Sequence, residues 1–321
     1  MTTVSRALAG YNDVAEETRA VIQSSAQQLG YFPNLTARQL QNQRTDTFGI
    51  ILPSVGPRFA DPYFSLILAG IGDEIARWGY DILISTRPPG PEELEAYRSI
   101  VEGQRVDGIV VIRTRLEDER IAYLVERGFP FVAFGRTALD LDFPFIDEDG
   151  EAGTYELILH LTQLGHERIA YIAAPQDLTF GFNRHKGYQR ALEDTGLVYR
   201  PDYVEVGDLT RRGGSSAAEK LLARPVPPTA IVAANDLMAL GTMNRVQQMG
   251  LKIGSDISIA GFDDIPTAEA LGLTTLNQPI FRIGNQLSQM LLDVILGKQL
   301  VEPKRVLKPK LLIRESVGPP A

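Results

Sequence analysis

The chain has 321 residues, 44% of them hydrophobic and 22% charged, a balance that fits one or two folded domains and excludes disorder over most of the length. Lys and Arg number 32 against 40 Asp and Glu, a net charge of −8, which excludes a protein that coats nucleic acid by bulk charge but allows a small DNA-reading element on an acidic body. There is no cysteine, so disulfides, thiolate nucleophiles and Cys-ligated zinc are excluded.

The first 44 residues differ from the rest, with four Arg and three acidic residues in an otherwise acidic chain. Val4, Ala7 and Leu8 have helical spacing, and Gly10 supplies a stop. Asp13 and Glu16 form a D-x-x-E capping box ahead of "VAEETRAVIQSSAQQLG", which predicts a helix with Ile22, Ala26 and Leu29 on one face and Gly30 as its C-cap. After Pro33, "NLTARQLQ" (34–41) predicts a two-turn helix capped by Asn34, marginal in water by itself.

From residue 48 the rhythm changes. Apolar runs at 48–52, 80–84, 108–112, 129–134, 168–172, 229–233 and 257–262 alternate with amphipathic stretches such as 64–78, 150–164, 183–195 and 235–249. Strands that are apolar along their length, alternating with helices, predict a parallel sheet covered on both faces. Seven or more strands over about 270 residues predict two Rossmann-like halves, an α/β fold. The Gly70–Gly72 pair falls inside a predicted helix and reads as a packing feature, not a dinucleotide loop.

Ligands of open α/β sheets sit beyond the carboxyl ends of the strands. Those ends carry Phe59, Tyr63 and Phe64; Arg113 and Thr114; Phe134, Gly135 and Arg136; Phe180, Phe182 and Arg184; Asp208; Asn235 and Asp236; Asp263 and Asp264. Planar carboxylate, amide and guanidinium groups take vicinal hydroxyls in pairs, and aromatic rings cover the apolar faces of a sugar. Asp and Asn after a strand are also the usual helix N-caps; the convergence of several is what favours a ligand. Arg113, Arg136 and Arg184 leave a phosphorylated ligand open.

No nucleophile–base pair can be drawn, and neither a G-x-S-x-G elbow nor a P-loop is present. His160, His166 and His185 share no close motif, so neither a metal nor a cofactor is expected. No apolar run approaches the roughly 18 residues of a membrane span, and "MTTVSRALAG" lacks the apolar core of a signal peptide. The expected location is the cytoplasm.

The stretch "TTVSRALAG…VAEETRAVIQSSAQQLGYFPNLTARQL" resembles the DNA-binding head and hinge of the lactose-repressor (LacI/GalR) family of bacterial transcription regulators. "FGIILP", "YFSLILAGI", "RVDGIVV", "FPFVAFGR", "LGHERIAYI", "NRHKGYQRAL", "PPTAIVAANDLMALG", "GFDD" and "LTTLNQP" match its effector domain in order, so the resemblance spans essentially the whole chain. It implies a homodimeric repressor with a sensor of periplasmic-binding-protein type I, in which a small ligand, usually a sugar, closes two lobes and changes affinity for a near-palindromic operator.

Carried over residue by residue, the resemblance places Thr2, Thr3, Ser5 and Arg6 on a recognition helix in the major groove. Leu40 becomes a minor-groove wedge flanked by Ala37 and Arg38. Effector contacts fall on Tyr63, Phe64, Phe180, Arg184, Leu209, Asn235 and Asp263, and the strand ends add Arg113, Phe134 and Asp236. The implied layout is a partial helix-turn-helix head (1–32), a hinge helix (33–45), lobe one (46–147 plus 280–307) and lobe two (148–279 plus 308–321). Crossings near Asp147, 277–279 and Lys308–Pro309 would act as a hinge.

The sequence departs from the family in one respect: its recognition helix begins at Met1, with no first helix before it. An internal Met with the start upstream, or a naturally shortened head, would explain this; the intact second helix and hinge favour the former. The chain as it stands is then expected to bind effector normally and operator weakly. The expected function is an effector-controlled repressor of a sugar-utilisation operon, with an α-glucoside as the specific ligand. The alternatives are a sugar-binding receptor without DNA binding, for which the chain lacks a signal peptide, and an α/β enzyme, for which it lacks an assembled catalytic group.

Overall fold

The computed structural model describes residues 3–8, 12–31, 44–53 and 61–321. The chain divides into two compact units, Met1–Asp46 and Thr47–Ala321.

In the first unit, α1 (Thr3–Leu8) packs against α2 (Glu16–Gln28), and Ala7 and Val14 are buried there. The end of α2 is as expected: Gly30 takes φ +60°, its N–H donates to the Gln27 carbonyl at 3.2 Å, and Tyr31 N–H donates to the Ala26 carbonyl at 2.8 Å. This is a Schellman closure, which needs a left-handed residue and so favours glycine. The expected capping box is not formed. The N-cap is Ala15, without a side-chain hydrogen bond, because the Asp13 carboxylate is engaged by Arg6, whose Nε donates to Oδ1 at 3.2 Å. The expected hinge helix, with Asn34 as its cap, lies outside the described residues, as does Gly10.

The second unit holds two six-stranded sheets. The first half of the chain alternates β1 (Thr47–Pro53), α3 (Pro62–Ala76), β2 (Asp81–Arg87), α4 (Pro91–Glu102), β3 (Gly108–Val111), α5 (Glu119–Glu126), β4 (Phe131–Phe134) and β5 (Phe145–Glu148). Then follow α6 (Gly150–Gln163), β6 (Ile169–Ala173), α7 (Thr179–Asp194), β7 (Val204–Val206), α8 (Arg211–Leu222), β8 (Ala230–Ala233), α9 (Asp236–Gln248), β9 (Ser258–Asp263), α10 (Pro266–Ala270) and β10 (Thr274–Asn277). The chain ends with α11 (Ile280–Ile295), β11 (Lys304–Leu307) and β12 (Lys310–Leu312). The sheet orders are β11-β5-β4-β3-β1-β2 and β12-β10-β9-β8-β6-β7. Every pairing is parallel except β12 with β10.

These are the two Rossmann-like lobes expected from the apolar rhythm. Along β1, Phe48, Ile50 and Leu52 face the core beneath α3 and α11, while Ile51 faces the core beneath α4 and α5, the period-2 alternation of a strand covered on both sides. The chain passes from the first sheet to the second after β5. It returns after β10 to lay α11 along α3, adds β11 to the edge of the first sheet and finishes with β12 on the edge of the second. The α3–α11 crossing is close because both helices present glycine. A Cβ on Gly70 would overlap the Phe281 carbonyl and one on Gly284 the Ile67 carbonyl, and Asn285 Nδ2 donates to the Gly70 carbonyl at 2.6 Å. Gly70 is therefore a packing glycine, as its place in a helix suggested, whereas a Cβ on Gly72 would meet only Ile82 Cδ1 at 3.9 Å.

Candidate functional site

The carboxyl ends of the strands in both sheets meet at a cleft, the usual place for a ligand of open α/β sheets. Asp61 and Tyr63 stand at the start of α3, Arg113 and Thr114 follow β3, and Phe134 and Gly135 close β4. Asp147 and Glu148 end β5, Phe180 and Arg184 lie on the first turns of α7, and Leu209, Asn235 and Asp263 complete the wall. The local reasons are simple. Asp61 N-caps α3, its Oδ1 accepting from Tyr63 N–H at 3.1 Å with Pro62 in the first turn. Asn235 N-caps α9, accepting from Met238 N–H at 3.1 Å, and its amide donates to the Leu209 carbonyl at 3.3 Å. A residue that caps a helix after a parallel strand is thereby fixed at the cleft.

Three wall residues other than glycine, Arg113 (φ +53°), Leu209 (φ +68°) and Asp263 (φ +122°), hold the backbone in the left-handed half of the map. Such conformations are costly for side-chain-bearing residues and cluster at ligand sites.

Arg184 is the electrostatic centre, 3% exposed. Its Nε donates to Glu148 Oε1 at 2.8 Å, its Nη1 to the Ala234 carbonyl, and its Nη2 reaches Glu148 and, at 3.5 Å, Asp263. The guanidinium carbon lies 3.5 Å from the Phe262 ring centroid and 4.8 Å from that of Phe180. Gly150 makes the room: a Cβ there would stand 2.9 Å from Arg184 Cγ. Burial pushes the Glu148 carboxyl up to about 7, against the pull of Arg184. Burial also raises Asp263 well above the usual carboxylate range; Arg184 opposes this, and the neighbouring carboxylates Asp236, Glu148 and Asp61 add to it. Tyr63 is held neutral by burial. Glu148 Oε2 and Gln278 Oε1 are buried and without a hydrogen-bond partner.

The other two arginines of this region are also matched. Arg113 Nη2 is 3.5 Å from Asp61 Oδ2, with its guanidinium over the Phe64 ring; Arg136 Nε donates to Asp147 Oδ2 at 2.5 Å.

Two expected effector residues lie off the wall. Phe64 is wholly buried in the core beneath α3, because the helix turns it inward while Tyr63 faces the cleft. Asp236 is wholly buried: its Oδ1 accepts from Thr275 Oγ1 at 2.6 Å and its Oδ2 from Ile265 N–H at 3.0 Å. It ties α9 to the neighbouring strand ends, and burial pushes its carboxyl up to about 7. Among the remaining strand-end residues, Phe182 is exposed, Asp208 accepts from Thr210 within its own turn, and Asp264 pairs with Arg314. Phe59 lies outside the described residues. Asp61, Asp147, Glu148 and the strand-like contact between lobes described next were not expected.

The lobes touch beside the cleft. Thr179 N–H donates to the Thr114 carbonyl at 3.0 Å and Leu116 N–H to the Asp177 carbonyl at 3.0 Å. Arg115 and Leu178 form an antiparallel bridge, and Thr179 Oγ1 donates to the Arg136 carbonyl at 2.8 Å.

Of the expected DNA-contacting residues, Thr3, Ser5 and Arg6 lie on α1, with Thr3 exposed and Arg6 paired to Asp13. Thr2, Ala37, Arg38 and Leu40 lie outside the described residues. Among the described residues no helix is long and apolar enough to cross a membrane, and no group of three or more His, Cys, Asp or Glu is placed to hold a metal.

The family described as "Periplasmic binding proteins and sugar binding domain of LacI family" matches residues 45–315. The chain is 34% identical to the HTH-type transcriptional regulator AglR of Rhizobium meliloti (strain 1021), over 99% of this chain and 91% of that one. It is 31% identical to the HTH-type transcriptional repressor CytR of Escherichia coli (strain K12), over 98% and 92%. These relatives are regulators of transcription, not enzymes. Among solved structures it is similar to the transcriptional regulator CelR–cellobiose complex, with TM-score 0.78, 31% identity and coverage of 97% and 94%. It is also similar to the lac repressor dimer bound to operator and the anti-inducer ONPF, with TM-score 0.87, 26% identity and coverage of 98% and 94%.

Proposed function

Since this chain belongs to the LacI family of transcriptional regulators, we propose that it is a homodimeric, operator-binding repressor of a sugar-utilisation operon in the cytoplasm, released or engaged by a neutral sugar or glycoside in its interlobe cleft. The observation that carries the ligand class is the charge matching of the cleft. Arg113, Arg136 and Arg184 each already face a carboxylate, and Arg184 faces two. A phosphate or sugar acid would have to displace one of these carboxylates, which is costly at Arg113 and Arg184, where the side chains of both partners are largely buried. A neutral polyol instead donates hydroxyls to Glu148 and Asp263, accepts from Asn235, and lays its apolar faces on Tyr63, Phe134 and Phe180.

Within that class an α-glucoside is the specific reading. It rests on the resemblance to regulators of sugar metabolism, and the likeness to a regulator solved with cellobiose supports a glycoside. The roles of Thr2, Thr3, Ser5, Arg6, Ala37, Arg38 and Leu40 at the operator, and the layout of head, hinge and two discontinuous lobes, belong to the same proposal. Calorimetry against α- and β-linked glucosides, free monosaccharides, sugar phosphates and purines tests the ligand, and footprinting on DNA upstream of the gene tests the operator. Binding to purines or sugar phosphates alone overturns the ligand class. Sugar binding with no footprint even at low salt, where a weak operator complex is favoured, turns the reading into a receptor.

A further inference from the structure

Lobe one contains a buried ionic cluster away from the cleft wall. Arg120, on α5, is 2% exposed, and Glu93 on α4 and Asp118 before α5 are fully buried. Arg120 spends its whole donor fork there. Nε donates to Asp118 Oδ1 at 2.9 Å, Nη2 to Asp118 Oδ2 at 2.6 Å, and Nη1 to Glu93 Oε1 at 2.7 Å. The remaining donors go to the main chain of the loop after β3: Nη1 reaches the Ile112 carbonyl at 3.5 Å and Nη2 the Arg113 carbonyl at 2.9 Å. The carboxylates grip the same loop further on. Asp118 Oδ2 accepts from Arg115 N–H at 2.9 Å, and Glu93 Oε2 from Arg115 Nη2 at 2.6 Å.

A buried ion cluster gives little net stability over well-packed apolar side chains of the same volume. What this one does supply is geometry. It pins main-chain groups of residues 112, 113 and 115, including Arg113 in its left-handed conformation. That short loop has two outputs. Arg113 and Thr114 line the cleft, and Thr114 and Leu116 make the main-chain bonds to Thr179 and Asp177 of the other lobe.

We infer that Arg120, held by Glu93 and Asp118, is a positioning residue for the effector site: it templates the 112–116 loop so that cleft lining and lobe-to-lobe docking are formed together. The inference rests on the reading of the cleft as the effector site, but its first readout does not. In Arg120→Lys the charge stays and the planar fork is lost. Main-chain amide exchange in the ligand-free protein should quicken about tenfold at Leu116 and Thr179, while amides of β1, β3 and β4 keep wild-type protection. Affinity for the glycoside that the wild-type protein binds should fall about tenfold, the scale of coupling through a shared two-state element. Glu93→Gln, which keeps the shape and an acceptor, should show the same pattern more weakly and serves if the lysine variant does not fold. Unchanged exchange at Leu116 and Thr179 in folded variants overturns the inference, as does uniform quickening across the sheet. A wild-type protein that binds no sugar counts against the effector reading alone, since the exchange result stands without ligand.

Discussion

The side-chain amide of Gln278 donates to Asp263 Oδ1 at 2.8 Å, the same oxygen that Arg184 approaches at 3.5 Å. Gln278 follows β10, on the segment that carries the chain back to the first sheet. A carboxylate at the end of β9 is thus oriented by a residue on an interlobe crossing, and a shift of that crossing moves the acceptor a ligand would meet.

Asp263→Asn should weaken effector binding by about 2 kcal/mol, the scale for loss of a charged hydrogen-bond partner in a buried site. Asn is the conservative test because it tolerates positive φ. Titration calorimetry reads the affinity and thermal unfolding reads the fold. A collapse of the unfolding midpoint with intact affinity would assign Asp263 a structural role instead.

Glu148→Gln should change how stability depends on pH. The carboxyl is raised from 4.5 to about 7 by burial. Below about pH 4.5 it is protonated in folded and unfolded chains alike. Between about 4.5 and 7 the unfolded chain ionises first, so the wild type loses stability as pH rises, and above about 7 the loss is complete. The variant cannot ionise. Its stability relative to wild type should therefore climb across that window, by at most about 3 kcal/mol. Urea unfolding of both proteins from pH 5 to pH 8 measures it, and parallel curves would place the titration of Glu148 elsewhere.

Gly70→Ala should cost about 1–3 kcal/mol, since its Cβ meets the Phe281 backbone, which cannot swing away as a side chain would. Gly79→Ala is an informative comparison: nothing lies within 4 Å of the added carbon there, and only the backbone at φ +72° is strained. Chemical denaturation separates the two costs, and equal losses would show that steric overlap at the α3–α11 crossing is relieved.

Operator affinity should fall steeply and log-linearly with salt, because phosphate contacts release counterions. Arg6→Ala should lower both the affinity and the slope. It also removes the partner of Asp13, so circular dichroism of the variant must show the α2 helix intact for the result to count. Gel shifts across a salt series provide the measurement, and a slope unchanged in Arg6→Ala would take Arg6 off the DNA.

Much of the architecture was readable because a parallel strand buried on both faces is apolar at every position. The seven apolar runs became β1–β4, β6, β8 and β9. The strands β5 "FIDE", β7 "VEV", β10 "TTLN", β11 "KRVL" and β12 "KLL" are three or four residues long, polar and mostly near sheet edges, so no hydrophobic signal marks them. Position just beyond a strand end carried much of the site; Asn235 was found that way, and it proves to be both the cap of α9 and a wall residue. Asp61 was passed over although Asp before Pro at a helix start is a capping signal. Asp147 and Glu148 were hidden because acidic residues in a strand suggest exposure, and only the tertiary pairing with Arg136 and Arg184 reveals them as buried. Asp236 shows the reverse error: adjacent to a true wall residue, it points one helical step away into the interior. Asp13 likewise had the spacing of a cap but a stronger partner in Arg6.

The order in which the strands were laid down also constrains the birth of the protein. The helix that seals one face of the first sheet and the strand that ends it come from residues 280–307, and the second sheet gains its last strand only at 310–312. A ribosome that has translated the first 279 residues therefore carries two sheets, each with an open edge, and one with the apolar side of α3 uncovered. Neither can finish as an independent unit while the chain is still tethered. During that interval the nascent chain exposes apolar surface, and a premature stop between β10 and α11 should yield two incomplete sheets, not one sound lobe and one missing one.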